Sequence, residues 1–209
     1  MDTQASARKA VLTDLPYYYE ICLKTGNAGM DASSLFFDPF MLGHYFAAPF
    51  LRYENGIAFT LDFDGRPSGY SIAAPDTAAY NRWLEEAHLP ELRLRYPLPC
   101  PAHKIHSPFE EQMYALFHKP HFPFVFAGEQ WYGAYPASLH INLLPAAQGF
   151  GLGRLLMDTL CKELSGRGIP GVHLGVDTKN TAARAFYQKM EFTPLFEKDG
   201  CLFMGKHLL

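Results

Sequence analysis

A glycine-rich turn between a predicted strand and a predicted helix is the segment of the chain best suited to chemistry. It spans Gln148–Gly153 and reads QGFGLG. The first N–H groups of a helix have no partner within the helix, and the helix dipole adds positive charge at the same end. Glycines also allow an anion to approach the backbone closely. The turn therefore predicts a cradle for a pyrophosphate, with a tight connection that binds no ligand as the alternative.

Two other nucleotide-binding patterns fit this turn less well. Its glycines do not follow the G-x-G-x-x-G spacing of a dinucleotide-binding fold. Asp177 lies about 20 residues further on, where that fold has its ribose-binding acid, but it follows a strand near the end of the chain. The sequence G-K-[ST] of the Walker phosphate loop does not occur. Both observations favour a different kind of phosphate-bearing ligand.

Two motifs resemble those of the GNAT superfamily of acetyl-CoA-dependent N-acetyltransferases. Motif A of that superfamily reads [R/Q]-x-x-G-x-[G/A], and Gln148, Gly151 and Gly153 match it. Downstream, Asn180–Tyr187 resembles the pattern N-x-x-A-x-x-[FL]-Y of the same family. The resemblance implies a GNAT fold, an α/β domain whose central mixed sheet is flanked by helices.

A wider similarity covers most of the chain. Residues 19–51, 83–97 and 140–145 resemble the acetyltransferase-like C-terminal domain of eukaryotic O-GlcNAcase, and the chain is similar to a bacterial stand-alone relative of that domain. The animal members of that group are thought to have lost the glycine turn and with it cofactor binding. Because this chain retains the turn, the resemblance implies a protein that binds acetyl-CoA.

The resemblance also implies which residues contact the cofactor. The backbone of Leu143 and Leu144 would pair with the pantetheine arm where two parallel strands splay, and the Leu143 N–H would polarise the thioester carbonyl. The full set of implied cofactor-binding residues is Leu143, Leu144, Gln148, Gly149, Gly151, Leu152, Gly153, Arg154, Asn180 and Tyr187. Asn180 would bond the pantetheine arm, and Tyr187 would protonate the leaving thiolate. Structural roles remain open for each, such as a helix cap for Asn180 and packing for Tyr187.

Four polar side chains on the two central strands are candidates for the base that deprotonates the amine. His140 and Asn142 share one face of the first strand, and His173 and Asp177 share one face of the next. Asp177, at the carboxyl end of its strand, is the favoured candidate. All four can equally be structural polar groups.

The elements that must position these residues alternate between strand and helix. In the last third, the pattern predicts strands at 138–144 and 171–176, helices at 152–165 and 180–190, and a closing hairpin at 193–206. The N-terminal part predicts the order β-α-α-β-β, with helices at 17–24 and 40–48 and a hairpin that turns at Asp64-Gly65. The strand–helix–strand order predicts a parallel pair.

Residues 76–136 differ in composition and predict an insertion within a single domain of residues 1–209. Two helices are expected, at 76–88 and 107–118, while prolines exclude an extended sheet. An aromatic strand or lid is expected at Phe122–Phe126, and the insertion as a whole is expected to cover the acceptor site. His118-x-x-His121 lacks a nearby acid or cysteine at zinc-ligand spacing, so no metal is expected.

Composition limits the class of protein. The chain has 209 residues, 48% hydrophobic, and a net charge of −3, which suits one packed domain and argues against a dedicated nucleic-acid binder. No apolar run reaches the ~18 residues of a membrane span, and the start does not resemble a signal peptide. Four cysteines lack C-x-x-C spacing, which favours reduced thiols in the cytoplasm.

Three functions are consistent with this sequence. The first is an N-acetyltransferase in which an unidentified amine attacks acetyl-CoA directly, without a covalent enzyme intermediate. The second is a pseudo-acetyltransferase that binds acetyl-CoA or a protein partner without catalysis, because no general base is evident. The third is a small-molecule or antibiotic N-acetyltransferase with an acidic acceptor site, although acidic residues are not concentrated in the insertion.

Overall fold

One mixed sheet organises the computed structural model, which describes residues 4–119 and 129–209. Its strands in these ranges are β1 (Ala5–Lys9), β2 (Ile57–Phe63), β3 (Arg66–Ala74), β4 (Ala137–Leu143), β5 (Gly171–Asp177), β6 (Thr193–Lys198) and β7 (Cys201–His207). The spatial order is β1-β2-β3-β4-β5-β7-β6. The first four strands pair antiparallel, β4 and β5 pair parallel, and β7 pairs antiparallel with both β5 and β6. The predicted fold class, a central mixed sheet flanked by helices, is confirmed.

Helices cover both faces of this sheet. The α-helices of the described residues are α1 (Leu15–Thr25), α2 (Met41–Phe46), α3 (Ala48–Arg52), α4 (Thr77–Trp83), α5 (Leu89–Arg95), α6 (Pro108–His118), α7 (Glu129–Ala134), α8 (Leu152–Gly166) and α9 (Thr181–Lys189). The single helix predicted at 40–48 is two helices, because the backbone leaves the helical conformation at Ala47 and the next helix begins at Ala48, with Pro49 in its first turn. No helix in the described ranges combines the length and the apolar character that crossing a membrane requires.

The two faces of the sheet carry separate hydrophobic cores. On the face that we call the α8 face, Leu156, Leu160 and Leu164 of α8 pack with β4 and with Tyr187 of α9. On the opposite face, the α1 face, Tyr70 and the other outward residues of β3 pack against α1, α2 and the insertion helices. Side chains alternate between faces along each strand, so this division assigns every residue of β4 and β5 to one face.

Two hairpins hold the edges of the sheet in register. Asp64 and Gly65 both have positive φ, at 49° and 81°, as do Asp199 and Gly200, at 50° and 76°. Two consecutive left-handed residues form the turn whose twist matches antiparallel strands. Both hairpins agree with the sequence predictions.

The described residues of the segment 76–136, which the sequence predicts to be an insertion, contribute mainly to the α1-face core. The predicted helix at 107–118 is confirmed as α6, and the side chain of Ser107 caps it by accepting a bond from the Glu110 amide. The helix predicted at 76–88 runs further than expected, because a π-helical turn at Leu84–His88 joins α4 to α5. His118 donates from Nε2 to the Tyr96 carbonyl at 2.8 Å, which gives it a structural role. Phe122–Phe126 and His121 lie outside the described residues.

Candidate active site

A gap opens between the two parallel strands at the centre of the sheet. β4 pairs with β5 only through Ala137 and Ser138, whereas it pairs with β3 along its length as far as Leu143. From Leu139 onward, this edge of β4 therefore has no paired strand among residues 4–119 and 129–209. Such an edge offers backbone donors and acceptors to a ligand that can take the place of a strand.

The direction of each backbone group along this edge follows from one hydrogen bond. The Leu144 N–H donates to the Ser68 carbonyl at 2.8 Å, on the β3 side. Because backbone groups alternate in direction along a strand, the N–H and C=O of Leu143, Ile141 and Leu139 point to the gap. The backbone N–H and C=O of Leu143 thus face the gap, and their contact with a cofactor stays a prediction.

Leu144 does not share that position. Its N–H is bonded to Ser68, and its carbonyl accepts a bond from the Ala147 amide at 2.9 Å. The strand turns away at this residue, and the Leu144 side chain packs on the α1-face core. The expectation that the backbone of Leu144 pairs with a ligand in the gap is therefore corrected, and Ile141 takes its place as the next gap-facing residue.

The glycine turn presents a run of free backbone donors beyond the end of β4. Among the described residues, no acceptor is bonded to the N–H groups from Gly149 to Arg154, including that of Leu152 at the start of α8. Gly149 and Gly151 have φ of 85° and 75°, and nothing lies within 4 Å of where their Cβ atoms would be. The turn thus combines left-handed backbone, open space and unpaired N–H groups, which are the properties of an anion cradle.

Two motif residues have structural contacts that the sequence did not reveal. A Cβ at Gly153 would lie 3.4 Å from the Phe186 ring, an ordinary contact distance, so α8 and α9 pack against each other at this residue. The Gln148 side chain donates from Nε2 to the Leu143 carbonyl at 2.9 Å and so ties the turn to the end of β4. Gln148 therefore lies along the gap as well as beside the turn.

Asn180 caps a helix in the structure, and its contact with the pantetheine arm stays a prediction. Its Oδ1 accepts a bond from the Ala183 amide at 3.0 Å and caps α9. Its Nδ2 would lie 3.3 Å from a Cβ at Gly29, in the loop that follows α1. The cap uses the oxygen, which leaves the amide nitrogen as a donor at the wide end of the gap.

Tyr187 lies in the α8-face core beside β5. It is 8% exposed and contacts the rings of Phe186 and Phe192 at centroid distances of 5.5 and 5.7 Å. Burial raises the pKa of its phenol well above the ordinary value. The hydroxyl has no hydrogen-bond partner among the described residues, and the raised pKa keeps the phenol protonated at pH 7.

The polar residues of β4 and β5 that face α1 differ in whether they form hydrogen bonds with other described residues. Asn142 donates from Nδ2 to the Tyr70 hydroxyl at 2.8 Å, and His173 donates from Nδ1 to the Tyr135 carbonyl at 2.8 Å. His140 contacts aromatic rings but no hydrogen-bond partner in the described part of the chain. Burial lowers the pKa of both histidines to about 4, so both are neutral at pH 7. Asp177 is exposed, and its Oδ1 accepts a bond from the Lys179 amide at 2.8 Å.

No cluster that could hold a metal ion occurs among the described side chains. The four cysteines are free thiols, and burial raises the pKa of Cys22 to about 12.

The candidate site as a whole consists of a gap, an anion cradle at its mouth, a protonated phenol on one face and neutral polar groups on the other. These parts can hold an extended, phosphate-bearing thioester and offer its carbonyl to a nucleophile from the α1 face.

Comparisons of the chain with a family model and with solved structures agree with one another. The family model described as acetyltransferase (GNAT) family matches residues 104–192. The solved structure of SsHAT is 34% identical, covers 99% of both chains and superposes with a TM-score of 0.86. The N-acetyltransferase PaiA of Thermoplasma acidophilum, in complex with coenzyme A, has the same fold at 13% identity, with a TM-score of 0.55 over 98% of this chain and 99% of that one.

Curated relatives match a shorter segment. The mycothiol acetyltransferase of Beutenbergia cavernae is 47% identical over 51 residues, which is 24% of this chain and 17% of that protein. The chain thus covers well under two thirds of that relative. The family model, the full-length similarity to SsHAT and the splayed mixed sheet agree with one another: the chain belongs to the acetyltransferase (GNAT) family.

Proposed function

We propose that the protein is an acetyl-CoA-dependent N-acetyltransferase. The observation that carries the proposal is the continuity between the free edge of β4 and the unpaired N–H groups of Gly149–Arg154. An extended pantetheine arm needs the first, and a pyrophosphate needs the second. The coenzyme A bound to the PaiA relative supports the same ligand class.

The residues present fit this cosubstrate. The turn would hold the pyrophosphate through Gly149, Gly151, Leu152, Gly153 and Arg154. The Leu143 N–H would bond the thioester carbonyl at the end of the pantetheine arm, and Asn180 would donate from Nδ2 to a carbonyl of the arm. Gln148 would keep the turn in place through its bond to Leu143.

The reaction would be a direct transfer. The amine nitrogen bonds to the thioester carbon and gives a tetrahedral intermediate, whose oxyanion accepts a bond from the Leu143 N–H. The carbon–sulfur bond then breaks, and the thiolate takes a proton from Tyr187. The proton lost by the amine passes to Asp177 directly or through water. Asp177 then releases this proton to solvent and solvent water returns one to Tyr187, so the net products are an N-acetyl compound and free CoA.

The proposal that the protein catalyses acetyl transfer has one serious rival. A pseudo-acetyltransferase would have the same fold and cradle but no effective base. The low pKa of His140 and His173 favours this rival, because a base that titrates near 4 takes up little of the proton at pH 7. Asp177 is exposed, and its Oδ1 already accepts a bond from the Lys179 amide.

Three finer assignments are part of the proposal. The similarity of residues 19–51, 83–97 and 140–145 to the O-GlcNAcase domain supports a bacterial stand-alone relative of that domain. The free cysteines are compatible with the cytoplasmic location that the sequence predicts. Acetyl-CoA and an amine are the expected partners, with no role expected for nucleic acid or a membrane. The name of the mycothiol acetyltransferases does not identify the amine, since the match covers 24% of this chain.

Incubation with acetyl-CoA and a panel of amines tests the proposal directly. The panel contains 2-phenylethylamine, spermidine and a lysine peptide, and the assay detects both free CoA thiol and the N-acetyl product by mass. We expect amine-dependent release of thiol with one product per thiol. Tight binding of acetyl-CoA without any product would instead support the pseudo-acetyltransferase.

A further inference from the structure

The amide side chain of Asn142 is held in one orientation on the strand that borders the gap. Asn142 of β4 pairs with Tyr70 of β3, and its Nδ2 donates to the Tyr70 hydroxyl at 2.8 Å. Among residues 4–119 and 129–209, no group donates a hydrogen bond to the amide oxygen, Oδ1. The side chain is half-buried, so this oxygen is an oriented acceptor that a ligand can use.

A buried chain of hydrogen bonds fixes the orientation of this amide. Tyr70 is fully buried and stacks on Tyr18 at a centroid distance of 4.5 Å, so close packing restrains its ring. The Tyr70 hydroxyl also bonds the Cys22 thiol of α1. Burial raises the pKa of that thiol, and the bond from Tyr70 opposes the rise, as a bond donated to the sulfur does. Reversal of the Asn142 amide would therefore place two oxygens against each other.

The amide lies next to the group expected to hold the thioester carbonyl. Asn142 directly precedes Leu143, and consecutive Cα atoms are about 3.8 Å apart. The Leu143 N–H lies in the plane of the sheet and faces the gap, whereas the Asn142 side chain stands on the α1 face, as Tyr70 does. A nucleophile that reaches this carbonyl from the α1 face therefore passes the Asn142 amide.

The chemistry of acetyl transfer requires an acceptor of this kind. A neutral primary amine has two hydrogens on its nitrogen. When the nitrogen bonds to the thioester carbon and the carbon–sulfur bond breaks, one hydrogen is lost to the base as a proton and the other remains in the N-acetyl product. An amide oxygen accepts a hydrogen bond without taking up the proton, so it suits the hydrogen that remains.

Resting on the proposed function, we propose that Asn142 orients the acceptor amine. Its Oδ1 binds the N–H that remains in the product and so directs the nitrogen lone pair at the thioester carbon beside Leu143. Tyr70 is a positioning residue that acts through Asn142. A secondary amine has a single hydrogen, which must leave, so it cannot keep this bond through the reaction. The bond therefore adds to the preference for a primary amine that the bulk of an N-methyl group produces.

The test measures kcat and KM for each amine of the panel and for its N-methyl counterpart. The variants are Asn142→Ala, Tyr70→Phe and Tyr18→Phe. Tyr18→Phe is the matched control, because it removes a fully buried hydroxyl from the same stacked pair, one that bonds the Phe59 carbonyl and Thr60 instead of Asn142. Thermal unfolding and the affinity for acetyl-CoA verify the fold of each variant.

The expected losses follow from one oriented hydrogen bond. We expect Asn142→Ala to lower kcat/KM for the primary amine at least about tenfold, and the preference over the N-methyl counterpart at least about threefold. Tyr70→Phe should lower both by less, because it leaves the amide in place but free to rotate. Tyr18→Phe should retain the native preference, and acetyl-CoA should bind all three variants as it binds the native protein.

The outcomes separate this inference from the proposed function. If amines are acetylated but folded Asn142→Ala keeps the native kcat/KM or the native preference, the function stands and the inference is overturned. Weaker binding of acetyl-CoA to Asn142→Ala would assign the amide to the cosubstrate and overturn the inference as well. Equal losses in Tyr70→Phe and Tyr18→Phe would overturn the role of Tyr70. If acetyl-CoA binds and no amine is acetylated, the proposed function fails and the inference fails with it.

Discussion

The gap with its glycine turn and the α1 face beside it are built in different ways. In the gap and the turn, the expected cosubstrate contacts are mostly backbone groups, those of Leu143 and of Gly149–Arg154. On the α1 face, the contacts are side chains brought together from distant segments, such as Asn142 with Tyr70 and His140 with Phe50. A backbone site tolerates many side chains but few changes at its glycines, whereas a side-chain site can change its ligand by single substitutions.

Removal of one hydroxyl should show the largest effect on turnover. Tyr187→Phe retains the ring and its contacts with Phe186 and Phe192. We expect turnover to fall at least tenfold while acetyl-CoA affinity changes by less than about threefold, since general-acid effects are typically about 10²–10⁴-fold. Steady-state kinetics with calorimetry provide the measurement.

Tyr80→Phe is the matched control for that change. Tyr80 is also buried, and its hydroxyl has no partner among the described residues, but it lies on α4 in the α1-face core. We expect native turnover for this variant. Equal rates for Tyr187→Phe and the native protein would reduce Tyr187 to a packing residue.

The α1 face should make stability depend on pH. Burial lowers the pKa of His44, His140 and His173 to about 4, below the value of about 6.5 for an unfolded chain. The unfolded state then binds more protons, so stability is fully present above about pH 6.5 and is lost as the pH falls towards 4. Linkage gives a loss of about 2 kcal/mol per histidine at pH 5.

Urea denaturation at pH 7.5 and pH 5 measures this dependence. His140→Gln removes one titrating group, so the difference in unfolding free energy between the two pH values should shrink by about 2 kcal/mol. An unchanged difference would mean that His140 is accessible to water and titrates normally.

A smaller effect, on acetyl-CoA affinity, is expected from a substitution at the start of the glycine turn. Gln148→Ala removes the bond from Nε2 to the Leu143 carbonyl and leaves the turn less ordered. We expect acetyl-CoA to bind about fivefold more weakly, the equivalent of one ordinary hydrogen bond. Calorimetry checks this value, and tighter binding would show that Gln148 competes with the ligand for Leu143.

The same contrast explains how much the sequence could predict. β4, α8, β5, α9 and both hairpins follow from local periodicity and turn residues, and the structure agrees with them closely. The glycine turn could also be recognised from the sequence, because its glycines lie close together in the chain. The continuation of α4 into α5 was not, since a π-helical turn at Leu84–His88 is stabilised by packing rather than by local propensity.

Sequence periodicity could not predict the direction of backbone groups or the contacts between distant elements. The orientation of Leu144 depends on a bond to Ser68 across the sheet, and the packing of Gly153 on Phe186 joins two helices. Gly175 did carry a local signal, as a glycine within the strand GVHLGV. Its close contact with Cys201, where a Cβ would lie 2.8 Å from Sγ, depends on the pairing of β5 with β7.

Acetyl-CoA titration of Gly151→Asp beside Gly168→Asp tests the central claim most directly. Both glycines have φ of 75° and open space at the Cβ position, and they flank the same helix, so backbone strain is matched. If the turn is the pyrophosphate cradle, Gly151→Asp should weaken binding at least about 100-fold through charge repulsion and lost space, while Gly168→Asp binds as the native protein does. Equal affinity of the two folded variants would place the phosphates elsewhere and contradict the account.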